Sequence, residues 1–535
     1  MPLPEGGKQP WPPKHCARVN EQLATWQAWY SGDVEQLQAV YGGDQVGTGS
    51  EFFASESGGF KRNVAKVVDR VRRWFWGQRN LSGQPRQRLH VPIAGDIAAA
   101  SADLLFSEPP QVTVDPPQQP APTADGQTAT PAANPTQDRL DELLDDGTHA
   151  TLLEAAELAA AHGGVFLRVV WDVSLRSRPW ISAVHADTAV PEFRQGRLTA
   201  VTFWRVVKEQ GSFRWRHLER HEPGKIMHAL YQGDQEELGV PVPLTESPET
   251  AGLATVVNEQ GEIPTGHNGL TAVYVPNMKP GRWRHPATAP LGRSDFAAVE
   301  PLMDALDLAW SSWMRDVDLG KSRLVVPHTY MESHGPGKGA TMELDRELYE
   351  PVNTMDPGET GKLTIEQIQF KIRVEEHSRT VRELKTEIVS TAGYSAATFG
   401  LDSEGSAQTA TEVASRNRRS LITRARKIRY WRPALAEILE ALLAVDKAIF
   451  STTGVVPQRP HIDFAPAVAA DPEAEARTLR ELDTAGAIST DGKVRRLHPD
   501  WGDDEVAAEV ERIRADRGSS VPDPDAFTGA PPPAE

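Results

Sequence analysis

Residues Ser294 to Leu319 read SDFAAVEPLMDALDLAWSSWMRDVDL. Val299, Leu302, Leu306, Trp310, Trp313 and Val317 recur every three or four positions, which puts them on one stripe of a helix. Ser294-Asp295 has the chemistry of an N-cap. At 1.5 Å per residue the helix would span about 39 Å. A second long helix is expected from Lys371 to Thr391, with a thin apolar stripe of Val374, Val381, Leu384 and Ile388 among charges. A helix so poor in core residues should pack against other chains or neighbouring helices. Between the two lie the strand-like Leu324-Val325-Val326 and a glycine-rich stretch, Ser333 to Lys362.

Downstream, Gly393 to Ala410 is small and polar, a loop by composition. It opens a third long helix, Thr411 to Phe450, in which Pro433 should cause a kink near Arg429 to Arg432. After His461-Ile462-Asp463-Phe464, short helices are expected over Glu473 to Thr484, Thr490 to Leu497 and Asp503 to Ala515, the first opened by Asp471-Pro472. The tail from Gly518 reads as disordered.

Upstream the pattern is mixed. Helices are expected over Glu21 to Tyr41, Asn63 to Trp76 (ending in Trp74, Phe75, Trp76), Asp96 to Phe106 and Asp138 to His162, the last stopped by Gly163-Gly164. The period then changes to that of strands: Val165 to Trp171, Trp180 to His185, Thr199 to Val207, Phe213 to Glu219, Lys225 to Tyr231 and Ala272 to Val275. This predicts an α+β fold with an antiparallel sheet. Two stretches, 115–136 (Pro, Ala, Thr and Gln) and the polar 232–268, are expected to be flexible excursions.

The bulk numbers narrow the function. The 535 residues exceed one core and predict two or three substructures. A formal charge of −17 does not suit a protein that grips nucleic acid by charge alone. The single cysteine, Cys16, leaves no disulfide framework and no multi-thiolate metal site. Met1 to Lys14 lacks an apolar signal-peptide core, and the apolar stretch Pro433 to Phe450 is broken by Glu437, Glu440 and Asp446. No secretion and no membrane span are expected.

Enzyme signatures are scarce. Gly486 to Lys493 has the wrong spacing for a phosphate-binding loop and ends in Val494, without the Ser or Thr that holds magnesium. Gly292-Arg293-Ser294 lacks the second glycine of a nucleophile elbow. His217 and His221, with Glu219 between them, are read as solvated strand residues, not a zinc site. Trp310 with Trp313, and the Trp74 group, are read as packing. No cofactor is called for.

An ordered set of segments resembles the portal proteins of tailed bacteriophages, above all those of phages of actinobacteria. The set comprises LHVPIAGDIAAASADLLFSEPP (Leu89 to Pro110), Gly292-Arg293-Ser294-Asp295, Gly393-Tyr394-Ser395, Phe399-Gly400-Leu401, Thr409 to Val413, Arg429-Tyr430-Trp431 and His498-Pro499-Asp500-Trp501. It runs from about Trp26 to Arg517. The resemblance implies a twelve-subunit ring at one capsid vertex, with double-stranded DNA passing through it. Implied partners are terminase, head-completion or adaptor proteins, and major capsid and scaffolding proteins, with no membrane. The implied location is the virion, and the host cytoplasm during assembly. Implied substructures are a wing (1–293), stem helices (294–319 and 371–392) flanking a clip (320–370), and a tunnel loop (393–410). A kinked wing helix with a return strand (411–470), a crown (471–517) and a tail (518–535) complete the list.

The tunnel loop would touch DNA through Ser403, Glu404, Gly405, Ser406, Gln408 and Thr409, sterically and through hydroxyl and amide groups. The basic run Arg416, Arg418, Arg419, Arg424, Arg426 and Lys427 has two readings: phosphate binding, or pairing with acidic groups across subunit contacts. An acidic chain favours the second. The rival functions are another capsid-associated protein, such as a minor head or scaffold-like component, and a DNA-processing enzyme. The latter would need a carboxylate metal cluster, whereas Asp145-Asp146 and Asp503-Asp504 are ordinary helix-start acids.

Overall fold

In a computed structural model, the structure describes residues 3–37, 40, 89–115, 134–281, 283–319, 323–327, 332–333, 340–341, 349–352, 366–368, 372–401, 415–465, 472–498 and 503–519. The expected helix Asn63 to Trp76, nearly all of the excursion 115–136 and most of the segment 320–370 lie outside the described residues. The chain divides into two compact units, 1–405 with 416–465, and 406–415 with 466–535.

The first unit is mixed helix and sheet. Its described strands are β1 (Gly7–Pro10), β2 (Gln111–Thr113), β3 (Gly164–Val170), β4 (Trp180–His185), β5 (Ala189–Arg194), β6 (Arg197–Gln210), β7 (Phe213–Glu222), β8 (Lys225–Gly233), β9 (Glu237–Val242), β10 (Glu262–Pro264) and β11 (Ala272–Pro276). Beyond them come β12 (Arg323–Pro327), β13 (Glu332–Ser333), β14 (Ala340–Thr341), β15 (Tyr349–Val352), β16 (Glu366–Ile368) and β17 (His461–Asp463). Its main helices are α1 (Ala17–Ser31), α2 (Ile93–Phe106), α3 (Pro135–Leu143), α4 (Asp146–His162), α5 (Glu300–Leu319), α6 (Val374–Ala392) and α7 (Arg418–Phe450).

The expected antiparallel strands form two sheets. The larger has the order β1-β9-β8-β7-β6-β5 with β10 on β8, and the smaller the order β11-β3-β4, all antiparallel. The polar stretch 232–268 does not interrupt the larger sheet; β9 and β10 come from it. Buried Arg216 closes the β8–β9 turn by donating to the carbonyls of Asp234, Gln235 and Glu237 at 2.6–2.9 Å. The buried guanidinium thus satisfies the backbone of the turn that leads into β9. Between α5 and α6, β12 pairs parallel with β15 and antiparallel with β16, and β13 pairs with β14.

Several helix boundaries differ from the expectation, three of them by a break with a local reason. Gly32, at φ +64°, ends α1 long before Tyr41. The helix expected over Asp138 to His162 breaks at Leu144, because Asp145 accepts the Thr148 N–H at 2.9 Å and caps a fresh helix, α4. The helix expected from Ser294 begins at Glu300. Residues 295–299 form turns and Ala298 takes φ +78°, while the Asp295 side chain is used elsewhere.

The two largest apolar clusters of this unit share α2 and α4. One packs α7 (Trp431, Leu435, Ile438, Leu442, Val445) against α2, α3, α4, β3 and β11, with Trp431 edge-on to Phe106 at 4.9 Å. The other packs α1, α2, α5, α6 and Tyr394. Each fully buried side chain of this size contributes about 1.5–3 kcal/mol. The helix α7 continues through Pro433.

The second unit contains α8 (Pro472–Thr484), α9 (Thr490–Leu497) and α10 (Asp503–Ser519). The Ser489 hydroxyl accepts the Gly492 N–H at 3.1 Å to cap α9, and Val494 packs on Val506 and Val510.

Candidate functional site

The DNA-facing positions expected of Ser403, Glu404, Gly405, Ser406, Gln408 and Thr409 lie outside the described residues. Their flanks are described. Helix α6 stops at Gly393, whose φ of +103° only glycine adopts readily. Residues 394–401 then run back along the start of α7. The Gly393 carbonyl accepts the Thr423 hydroxyl at 2.6 Å, and the Ser395 N–H donates to Ser420 Oγ at 2.9 Å. The Ser420 N–H donates in return to Ser395 Oγ at 3.4 Å. Thr398 Oγ1 donates to Asn417 Oδ1 at 3.0 Å and lies 2.7 Å from Ser420 Oγ. Arg382 of α6 donates to the Leu401 carbonyl at 2.9 Å. The two ends of 402–414 are thus clasped by short hydroxyl and amide side chains with few rotamers to lose.

Beneath the clasp lies a buried charge. Asp295 Oδ2 receives Lys427 Nζ at 2.5 Å and the Tyr394 hydroxyl at 2.7 Å, while Oδ1 receives Asn277 Nδ2 at 2.7 Å. Lys427 also donates to the Ser101 hydroxyl of α2, and its ammonium lies 5.8 Å from the Tyr394 ring centre. Lys427 and Tyr394 are each 1% exposed. Burial lowers the Lys427 pKa while Asp295 opposes that drop; burial, then the Asp295 charge, pushes Tyr394 well above its ordinary value. The backbone N–H of Asp295 donates to Ala160 of α4 at 2.9 Å. The carboxylate therefore ties the lead-in to α5 to the end of β11, the exit of α6 and α7, while Lys427 reaches α2 and the Asp295 backbone reaches α4.

Gly163 lets the lead-in approach: a Cβ there would sit 2.8 Å from the Arg293 backbone, and its φ is +80°. Tyr394 and Asp295 fall within the segments 393–395 and 292–295 quoted above, and Ser101 within 89–110. In the sequence Asp295 has the chemistry of a helix cap, and its buried role leaves no local signal.

The basic run divides by face. Arg418 and Arg429 are exposed on α7 together with Ile422, which is 61% exposed. Arg419 is exposed and donates to Ser390 Oγ at 2.8 Å, and Arg426 donates to the Lys279 carbonyl. Arg424 turns inward to the carbonyls of Leu104 and Ala465. Arg416 is half-buried. Lys427 corrects the expectation: its ammonium is sequestered by Asp295 and Ser101, leaving no surface for a phosphate or a neighbouring subunit.

Helices α5 and α6 pair through Asp316, which accepts from Arg373 Nη2 at 2.9 Å and contacts His377 Nε2 at 2.9 Å, with Trp313 stacked on His377. On α6 only Val381, Ile388, Val389 and Ala392 are buried, and Val374 is about half exposed. Of the stripe read from the sequence, Val381 and Ile388 are buried and Leu384 partly so, while Val374 is exposed and Val389 and Ala392 join the buried face.

His217 and His221 are not solvated. They are 4% and 0% exposed, with Glu219 on the same face of β7. His217 Nε2 lies 3.2 Å from His228 Nδ1, and His221 bridges Glu219 (2.9 Å) and Thr271 (2.7 Å), with Arg168 on the other Glu219 oxygen. Strand alternation could have shown that 217, 219 and 221 share a face; Arg168 and Thr271 from the smaller sheet's side meet that face, and His228 lies beside it on β8. Among the described residues no His, Cys, Asp and Glu group could hold a metal ion, and no helix is long and apolar enough to cross a membrane.

The model of one family, described as phage portal protein, SPP1 Gp6-like, matches residues 34–523, most of the chain. No curated protein matches it.

Proposed function

From the premise that this chain belongs to the phage portal protein family, SPP1 Gp6-like, we propose a specific division of labour within it. Membership makes the chain a bacteriophage head–tail connector of DNA packaging, a structural protein of the capsid vertex that forms a homo-oligomeric ring and works with capsid, terminase and DNA. Beyond that, the ring has twelve subunits, is of the kind found in phages of actinobacteria, and carries out no chemistry of its own. Packaging energy comes from the terminase motor, and head-completion proteins later take the motor's place.

In this reading α5 and α6 are the stem, 320–370 the clip, 393–410 the tunnel loop and 471–517 the crown. The larger sheet and N-terminal helices form the wing, with α7 as its spine. The observation that carries the assignment is the exposed, charge-covered surface of α6, whose buried residues serve only its contacts with α5 and the core. Neighbouring subunits in a ring would cover the rest. The outward arginines of α7, Arg418, Arg419 and Arg429, serve those contacts, since guanidinium forks pair well with carboxylates and the chain carries −17. An acidic ring also repels DNA from its walls, which favours sliding over sticking.

Native mass measurement of the purified assembly tests this reading. A closed ring of 58.6 kDa subunits is expected, and a stable monomer at all concentrations and salt levels would overturn it.

A further inference from the structure

Ser420, Thr423, Arg424 and Lys427 lie at i, i+3, i+4 and i+7, one inward stripe of α7. Every one of them bonds to another segment: Ser420 and Thr423 to 393–398, Arg424 to the Leu104 and Ala465 carbonyls, Lys427 to Asp295 and Ser101. Asp295 in turn holds Tyr394, one residue beyond the end stop of α6 at Gly393. We propose that the buried Asp295–Lys427 pair, closed by the Tyr394 hydroxyl, is a positioning element that sets the register of α7 against the exit of α6. It thereby fixes where both ends of 402–414 leave the body of the subunit.

The physical reason is that an ion pair in this place is a poor way to gain stability. Desolvating two charges costs about what their attraction returns, and apolar side chains of the same volume commonly do as well or better. What an apolar cluster lacks is direction. A carboxylate with three donors, each from a different segment and each within 2.7 Å, loses its bonds if α7 rotates or slides. The hydroxyl clasp above it has the same property. A displacement of residue 401 or 415 is therefore resisted by α7 and the start of α5. The functional arm of this inference rests on the portal reading; the positioning arm does not.

The test uses the full chain, assembled as isolated, with three variants: Lys427→Met, the double Asp295→Asn with Lys427→Met, and Tyr394→Phe. Amide hydrogen exchange over 394–401 and 417–427 is read beside thermal unfolding and native mass. DNA retention is read in heads built with each variant. Lys427→Met strands a buried carboxylate and should unfold earlier than wild type. The double variant should regain the wild-type midpoint and keep the native mass, yet exchange 394–401 about tenfold faster, the effect of losing one directional bond. Heads carrying it should retain less DNA. Tyr394→Phe keeps the ion pair and should speed exchange of 394–401 by a smaller factor, which covers the case in which the double variant does not fold.

Wild-type exchange over 394–401 in the double variant, or in Tyr394→Phe if that alone folds, would overturn the proposal. Faster exchange with unchanged DNA retention would overturn its functional arm. A wild-type chain that never forms a ring would instead remove the portal reading and leave the exchange result standing.

Discussion

Arg139 of α3 grips Asp446 of α7 with two hydrogen bonds, Nε to Oδ2 at 3.0 Å and Nη2 to Oδ1 at 2.7 Å, while the Thr452 hydroxyl donates to Oδ2 at 2.8 Å. The Asp446 side chain is wholly buried and that of Arg139 is 20% exposed. Arg139→Met should therefore strand a carboxylate in the core and cost about 3 kcal/mol, the low end for a broken buried pair because one partner reaches solvent. Arg139→Met with Asp446→Leu should recover much of that loss. Denaturant midpoints of the three proteins check this; equal stability of the single variant and wild type would show the pair to be idle.

Acid sensitivity should begin well above the carboxylate range. Burial, then the His228 charge, pulls His217 down to about 3, against Glu219, which raises it, and with Arg205 and Arg168, which lower it. Burial, then His185, pulls His162 down to about 4 against Asp187 and a bond to the Leu158 carbonyl. The folded values lie below the unfolded value of about 6.5, so between these limits the unfolded chain binds protons that the native chain refuses. Stability is then complete above pH 6.5 and is lost as pH falls, by up to about 1.4 kcal/mol per unit for each such histidine. Glu219, which burial would raise, is held well below the ordinary range by Arg168 and His221, so it adds loss below about pH 4.5. Thermal midpoints from pH 7 to 5 should drop, and His217→Gln should flatten the slope. A flat wild-type profile across that range would contradict it.

Deleting Ser403 to Gln408 should leave ring assembly intact, because the clasp and the apolar clusters lie outside the deletion. DNA packaging or retention should fail. Replacing Glu404 and Gln408 by lysine should slow translocation, more at low salt, because phosphates would then be held. A deletion that packages and retains DNA normally would make 402–414 a plain linker.

Charge reversal separates the two readings of the outward arginines. Arg418→Glu with Arg429→Glu should shift native mass toward smaller species, and more so at low salt, if these side chains pair with a neighbour. If they bind phosphate instead, the ring would stay whole while its affinity for DNA and the salt dependence of binding both fell. Mass and a DNA-binding salt titration on the same preparation decide between them.

Much of the architecture is local and was legible as such. The stripe Val299 to Val317, the stop at Gly163, the capped Thr490 to Leu497 helix and the strands of β6 to β8 follow from side-chain period and cap chemistry within a few residues. Strands β9 and β10 were not legible, because Gly239, Pro241 and Pro264 break the strand pattern and their pairing partners come from β8 and β1. The boundaries at Gly32 and Asp145 were readable in principle, since each is a glycine or capping residue overridden by a continuing apolar pattern.

The site divides the same way. By itself the sequence determined the family, through an ordered set of short segments, and the helices that a ring would need. Only the tertiary structure decided which charges face inward. Lys427 sits amid arginines that look equivalent in a linear reading, and Asp295 looks like a helix cap; a residue's chemistry is local, but its burial depends on contacts hundreds of positions away. Ser101 is 326 residues from Lys427, and Asp295 is 132. No period or cap signal carries that information, because the free energy that buries a charge comes from partners that folding alone brings together.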